Sequence, residues 1–189
     1  MSNVIGVVLA AGAGRRFGGP KALALLDGVR LVDRATATLT DGGCASIVVV
    51  SGAVPLLVEG ATVVANPLWD TGMGSSLRAA LTHLAGSATS AVVVLLVDTP
   101  WVGAGAVSRL VAAHTSGAVA AQATYGSVPG HPVLLGRQVW DDVAALAVGD
   151  QAARGWLRQH RDQVVAVPCD GTGDPRDVDR PQDLLDLPG

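Results

Sequence analysis

Aliphatic residues in this chain come in short unbroken runs rather than in alternation with polar ones. Val4–Ala10, Ile47–Ser51, Thr62–Ala65, Ala91–Val97, Ala118–Thr124 and Val164–Val167 each read as a strand covered on both faces. Between them, apolar residues recur at helical spacing over Leu31–Leu39, Ser75–Leu84, Val107–His114, Val139–Leu146, Ala152–His160 and Gln182–Leu187. Strand and helix alternate throughout, which predicts an α/β domain with a mostly parallel sheet. Ligands of such domains sit beyond the carboxyl ends of the strands. Two stretches interrupt the pattern. Gly126–Pro132, with two glycines and two prolines, is expected to be a loop, and Gly171–Pro175 a turn leading into the last short helix.

A length of 189 residues suits one domain, so residues 1–189 are expected to form a single unit. The composition is 49% hydrophobic and the mean hydropathy +0.42, values that would also suit a membrane protein. The distribution argues otherwise, since no run approaches the roughly 18–20 apolar residues of a bilayer span. Met1-Ser2-Asn3 leads straight into a strand, without the basic and apolar stretches of a signal peptide. A cytoplasmic location without membrane association is expected. Cys44 and Cys169 have neither CxxC spacing nor a histidine cluster beside them, so neither a zinc site nor a redox pair is indicated. A net charge of −3 and a pI near 5.7 argue against nucleic acid as partner and leave a small substrate.

The first strand runs into Leu9-Ala10-Ala11-Gly12-Ala13-Gly14-Arg15-Arg16-Phe17-Gly18-Gly19-Pro20-Lys21, which places glycine and positive charge where the fold presents its ligand. Glycines let backbone N–H groups approach phosphate oxygens, and Arg and Lys balance their charge. Two better-known phosphate loops do not fit. A Walker A loop needs Lys directly after Gly and then Ser or Thr, but Pro20 separates Gly19 from Lys21 and Ala22 follows. A dinucleotide fingerprint needs a third glycine where Phe17 stands, and an acidic residue at the end of the second strand, which Ile47–Ser51 lacks.

Phosphate ligands are commonly accompanied by Mg²⁺, which prefers one or two carboxylates together with phosphate oxygens and water. Asp98 ends the apolar run Ala91–Val97, so a buried strand would deliver its carboxylate to the ligand edge of the sheet. Capping of the helix near Val107, or of the intervening turn, is the structural alternative.

Leu-Ala-Ala-Gly followed by Arg16-Phe17-Gly18 and Lys21 resembles the signature of the MobA-like nucleotidyltransferases. The resemblance runs from Val4 to Leu184 and implies their three-layer α/β/α Rossmann-like nucleotidyltransferase fold. By it, Arg16 and Lys21 grip the triphosphate while Leu9, Ala10, Ala11, Gly12 and Gly14 supply contacts to base and phosphate. Asp98-Thr99-Pro100 is similar to the family's metal-binding Asp-X-Pro, and Asp179 to a second metal ligand in its closing motif, with capping of the final helix as the alternative for Asp179. Phe17 stands where the family usually has Met, and Arg180 where it has Thr.

Asn66 and the Gly72-Met73-Gly74-Ser75-Ser76-Leu77 turn resemble the nucleotide pocket of the molybdopterin cytidylyltransferase branch, with Asn66 and Ser75 as contacts; ordinary helix capping is again the alternative. Gly130-His131-Pro132 and Gly149-Asp150-Gln151-Ala152-Ala153-Arg154 resemble that branch's acceptor segments, with His131 and Arg154 as the polar contacts and Ala152 in place of the family's Gly. The resemblance implies transfer of CMP from CTP to the phosphate of molybdenum cofactor, with a downstream molybdoenzyme or chaperone as recipient. CTP is expected over GTP because Ala11 stands where guanylyl-transferring relatives generally carry Gly. Nucleotidyl transfer to another phosphorylated metabolite, and nucleotide or cofactor binding without turnover, are the alternatives.

Overall fold

The computed structural model describes residues 3–185. β1 (Val4–Leu9) is buried along its whole length. A loop, a 3-10 turn at Lys21–Leu23 and a small hairpin of β2 (Leu25–Leu26) and β3 (Val29–Arg30) lead into α1 (Leu31–Asp41). β4 (Ser46–Ser51), β5 (Ala61–Ala65), α2 (Met73–Leu84), β6 (Ala91–Leu96) and α3 (Ala104–Thr115) follow. Then come β7 (Ala120–Tyr125), β8 (Val128–Gly136), α4 (Trp140–Leu146), α5 (Arg154–Gln159) and β9 (Val164–Pro168), with a closing 3-10 turn at Pro181–Leu184. Of the helix expected over Gln182–Leu187, the described part is that single tight turn; residues 186 and 187 lie outside the described residues.

Seven strands form one sheet in the order β5-β4-β1-β6-β8-β7-β9, parallel except at the two pairings of β8. β1 lies between β4 and β6, so the chain leaves it toward one edge and later returns on its other side. That reversal opens a crevice at the carboxyl end of β1. Leu31, Leu39, Val107 and Leu110 of α1 and α3 pack with Val4 and Val8 on one face. Leu77, Val143 and Trp156 of α2, α4 and α5 pack with Val7 and Leu9 on the other. The chain therefore adopts the three-layer α/β/α arrangement. Among the described residues, no helix is long and apolar enough to cross a membrane.

Two expectations are corrected. Gly126–Pro132 is not a loop: only Gly126 and Ser127 turn, with Gly126 at φ +60°, and β8 begins at Val128. Pro129 is tolerated because it pairs with Thr124 just past a register shift between Gln122 and Thr124, where the ladder is already irregular. The helix expected over Ala152–His160 is shorter, because Gly149–Gln151 is a separate 3-10 turn and Ala152 adopts φ +43°, outside helical geometry.

Candidate active site

The loop after β1 owes its shape to Gly14. At φ +59° its carbonyl accepts the N–H groups of Phe17, Gly18 and Gly19 at 2.9, 2.9 and 3.1 Å, and an added Cβ would run into the Gly19 carbonyl oxygen. Upstream, the backbone is tied to neighbouring strands: Ala10 N–H donates to Val50, and Ala53 N–H donates to the Ala11 carbonyl. Among the described residues, the N–H groups of Gly12 through Arg16 make no internal hydrogen bond. These five consecutive donors sit at the switch point of the sheet, the arrangement that cradles phosphate oxygens.

Buried Ala22, 1% exposed, anchors the short turn that follows, and Lys21 at its start reaches across the crevice. Its Nζ donates to Asp98 Oδ2 at 2.9 Å and to Asp179 Oδ1 at 3.2 Å, while Arg16 Nη1 donates to Asp179 Oδ2 at 3.2 Å. Burial disfavours the Lys21 ammonium, but the Asp98 and Asp179 carboxylates more than offset this and hold its pKa above the ordinary 10.5.

Asp98 and Asp179, far apart in sequence, are brought together by backbone. The segment after β9 runs alongside residues 98–103: Val178 N–H donates to the Asp98 carbonyl at 2.8 Å, Asp174 N–H to Trp101 at 3.0 Å, and Gly103 N–H to Thr172 at 2.9 Å. Gly103 and Gly173 permit that approach, since a Cβ on either would strike the opposite backbone. The final turn is capped not by Asp179 but by Asp183, whose Oδ2 accepts the N–H groups of Asp179 and Arg180 at 2.8 and 2.7 Å. Those two bonds hold the Asp183 carboxyl below the usual carboxylate range. The Asp179 carboxylate is thereby left to face Lys21.

A cavity of about 540 Å³ opens over this cluster, and Leu9, Ala11, Gly12, Gly14, Arg16, Lys21, Asp98 and Asp179 all line it. Ala10, Asn66 and Ser75 do not. Ala10 is 3% exposed, and Asn66 and Ser75 are 4% exposed each. Asn66 Nδ2 donates to Ser75 Oγ and Ser76 Oγ, its Oδ1 accepts Leu68 N–H, and Ser75 Oγ donates to the Leu68 or Gly72 carbonyl. These polar groups secure the turn that opens α2, and Ser76 is the serine on the wall. Arg15, Trp69 and Asp150 also line the cavity and carried no assigned role in the sequence.

A second cavity, of about 640 Å³, adjoins the first and shares Met73, Leu96 and Asp150 with it. His131 and Arg154 both line it, together with Arg158 and Arg161, which sequence reasoning missed. Spacing of four and three residues along α5 and its C-terminal extension was the available signal, but the same spacing describes any solvated helix face. Burial, reinforced by Arg154, keeps the His131 pKa below its ordinary 6.5 against the opposing pull of the Val94 carbonyl and Asp98, so it faces the cavity as neutral imidazole. The segment carrying Asp150 is pressed onto α2: a Cβ on Gly72 would meet Gly149, and one on Gly74 would meet Ala147. Met73, between these two glycines, lines both cavities.

Residues 6–164 match the model of the MobA-like NTP transferase domain. The chain belongs to the MobA-like NTP transferase family. Nicotine blue oxidoreductase of Paenarthrobacter nicotinovorans is 36% identical over 97% of this chain and 96% of that protein. Molybdenum cofactor guanylyltransferase of Rhodobacter capsulatus is 31% identical over 96% of this chain and 93% of that protein. A solved structure from Mycobacterium sp. strain JC1, a homologue of a Mycobacterium tuberculosis protein, superimposes with a TM-score of 0.80 at 31% identity, covering 97% of this chain and 93% of that one. In a MobA-like chain the loop after β1 and the Asp98 region belong to a nucleotidyltransferase fold, and nucleotidyl transfer is the activity that family and geometry support.

Proposed function

We propose that the chain transfers CMP from CTP to the phosphate of molybdopterin, with release of pyrophosphate. The observation that carries this reading is the convergence of Asp98, Asp179, Lys21 and Arg16 beside five open loop amides, next to a second cavity with its own cationic side. A triphosphate needs donors and cations; a transfer reaction needs a neighbouring place for the acceptor.

The residues fit Mg²⁺. Two carboxylates converge on one cation, Lys21 Nζ, and among the described residues no cluster of three or more His, Cys, Asp or Glu is present that would complete a cage of protein ligands. Mg²⁺ is commonly bound in this way, through one or two carboxylates with phosphate and water completing its shell. Asp98 and Asp179 would hold the ion, which supplies charge neutralisation at the triphosphate.

An oxygen of the acceptor phosphate attacks the α-phosphorus of CTP, and the bond from that phosphorus to the bridging oxygen of the β-phosphate breaks. A phosphate monoester has a second pKa of about 6, so the nucleophile is already ionised and no general base is required. Lys21, Arg16 and the amides of Gly12–Arg16 stabilise charge on the departing pyrophosphate, and the two cavities hold donor and acceptor in line.

Ala11 supports the choice of CTP. Ala11, 6% exposed, lines the cavity with Trp69, and both side chains crowd the space beside Gly52, so its added methyl favours a pyrimidine over a purine. Pyrophosphate release with Mg²⁺ and molybdenum cofactor, run with CTP and with GTP and against other phosphorylated acceptors, tests each part. Preference for GTP, in keeping with the name of the Rhodobacter capsulatus relative, would overturn the base assignment.

One observation favours a second reading: the relative at 36% identity is named an oxidoreductase. In that case a reduced electron donor bearing phosphate would occupy the loop side and an aromatic electron acceptor the second cavity. Oxidation of a reduced electron donor in the presence of an aromatic acceptor, and no pyrophosphate release with any nucleotide, would replace the transferase reading.

A further inference from the structure

The two cavities differ in charge. The first is lined by Arg15, Arg16 and Lys21 against the four carboxylates Asp70, Asp98, Asp150 and Asp179, so a polyanion entering it needs an added cation. The second is lined by three arginines, Arg154, Arg158 and Arg161, against Asp150 alone. Among the described residues the side chains of Arg154 and Arg161 make no hydrogen bond or ion pair, and the Arg158 guanidinium donates only to the neutral Gln151 amide at 3.1 Å. Arg154 and Arg158 are one turn of α5 apart, about 6 Å along its axis at a helical rise of about 1.5 Å per residue, and Arg161 follows in a separate 3-10 turn.

Opposite them lies the sheet. Val94, Val133, Gln122 and Ala166 are direct partners across β6, β8, β7 and β9, and all four line the cavity. Three strand spacings of about 4.8 Å make this row about 14 Å long. Aliphatic side chains at three of its four positions give a flat, mostly apolar surface that suits the face of a planar ring, with Gln122 able to address a ring-edge polar group.

We infer that the second cavity binds a planar ring bearing two or more negative charges, held by Arg154, Arg158 and Arg161 without any divalent cation. This rests on the reading of that cavity as the acceptor side and deepens it: the acceptor is selected by charge, before and independently of the metal-bound nucleotide. Arg158 and Arg161 are then specificity-determining residues, and metal dependence belongs to the nucleotide half alone.

The test is binding rather than turnover. Riboflavin 5′-phosphate and uncharged riboflavin serve as a planar probe with and without the dianion, titrated into the full chain in excess EDTA and followed by flavin fluorescence anisotropy. The phosphate form should bind and the neutral form should bind at least about tenfold more weakly. Arg154→Gln, Arg158→Gln and Arg161→Gln should each weaken the phosphate form by about three- to tenfold, and reduce its salt dependence, with unchanged circular dichroism. Arg16→Gln, in the other cavity, should leave it within about twofold. A requirement for Mg²⁺, equal binding of the neutral probe, or indifference to all three arginine substitutions would overturn the inference. Charge-selective, metal-free binding without pyrophosphate release would instead defeat the proposed reaction and leave this inference standing.

Discussion

Replacing Lys21 with methionine should drive two properties in opposite directions. Lys21 Nζ lies 2.9 Å from Asp98 and 3.2 Å from Asp179, so its ammonium stands where a divalent cation held by both carboxylates would sit. At an effective dielectric constant near 20, unit charges at such separations attract by about 5 kcal/mol. Lys21 and Asp98 side chains are 15% and 23% exposed and keep much of that attraction, whereas Asp179 is 50% exposed and its share falls to about 1 kcal/mol or less through solvent screening. Burial of the ammonium works against both pairs, leaving a net hold of about 1–3 kcal/mol. Removing it should tighten Mn²⁺ binding to the nucleotide-free protein by about tenfold to a hundredfold, at about 1.4 kcal/mol per factor of ten. Turnover should fall by about a hundredfold or more, because the leaving group loses a positioned cation. Methionine keeps an unbranched apolar stem, so the fold is retained. Calorimetric titration of Mn²⁺ and a pyrophosphate-release assay read the two effects, and adding Asp98→Asn should abolish the gain in metal affinity. Unchanged Mn²⁺ affinity in Lys21→Met would refute the argument that lysine and metal compete for one place.

The same ion pairs make stability depend on alkaline pH. With its folded-state pKa raised, Lys21 contributes stability that is fully present below 10.5 and is lost as pH rises through the folded-state value, so the gap between wild type and Lys21→Met in urea unfolding should close in strong alkali; a constant gap would contradict this. Gly14→Ala should weaken nucleotide binding by at least about tenfold, because a methyl at φ +59° collides with the Gly19 carbonyl and the loop must open; calorimetry with CTP and Mg²⁺ checks it. Ala152→Gly should be stabilising by about 1 kcal/mol or less. Relief of a left-handed backbone at φ +43° contributes about 1–3 kcal/mol, opposed by unfolded-chain entropy of about 0.4–1 kcal/mol and loss of one buried methyl. Denaturation midpoints decide, and clear destabilisation would mean that the conformation carries no strain.

The crevice after β1 was legible because its chemistry follows a buried strand. β1 and β6 announce themselves as unbroken aliphatic runs, and whatever follows each at the carboxyl edge must face the crevice, which is how Lys21 and Asp98 were found. Asn66 and Ser75 show the limit of that logic. Short polar residues at the start of a helix look alike whether they face a ligand or one another, and here they face one another.

The second cavity was harder to read for a topological reason. β8 enters the sheet antiparallel between β6 and β7, and its first residues carry the glycine and prolines that signal a turn everywhere else. Reading Gly126–Pro132 as a loop placed His131 on a connection. In the structure it stands on a strand, its ring facing the Val94 carbonyl at 3.4 Å. The Val94–Val133–Gln122–Ala166 row depends on the registers of three separate pairings, none of which is encoded locally. Arg158 and Arg161 gain meaning only once that row lies opposite them. A helix face that is indistinguishable from solvated surface in the sequence becomes a cationic wall when a strand from elsewhere in the chain supplies its floor. The division of charge between the cavities therefore arises from the insertion of β8, and the nucleotide loop alone could not have revealed it.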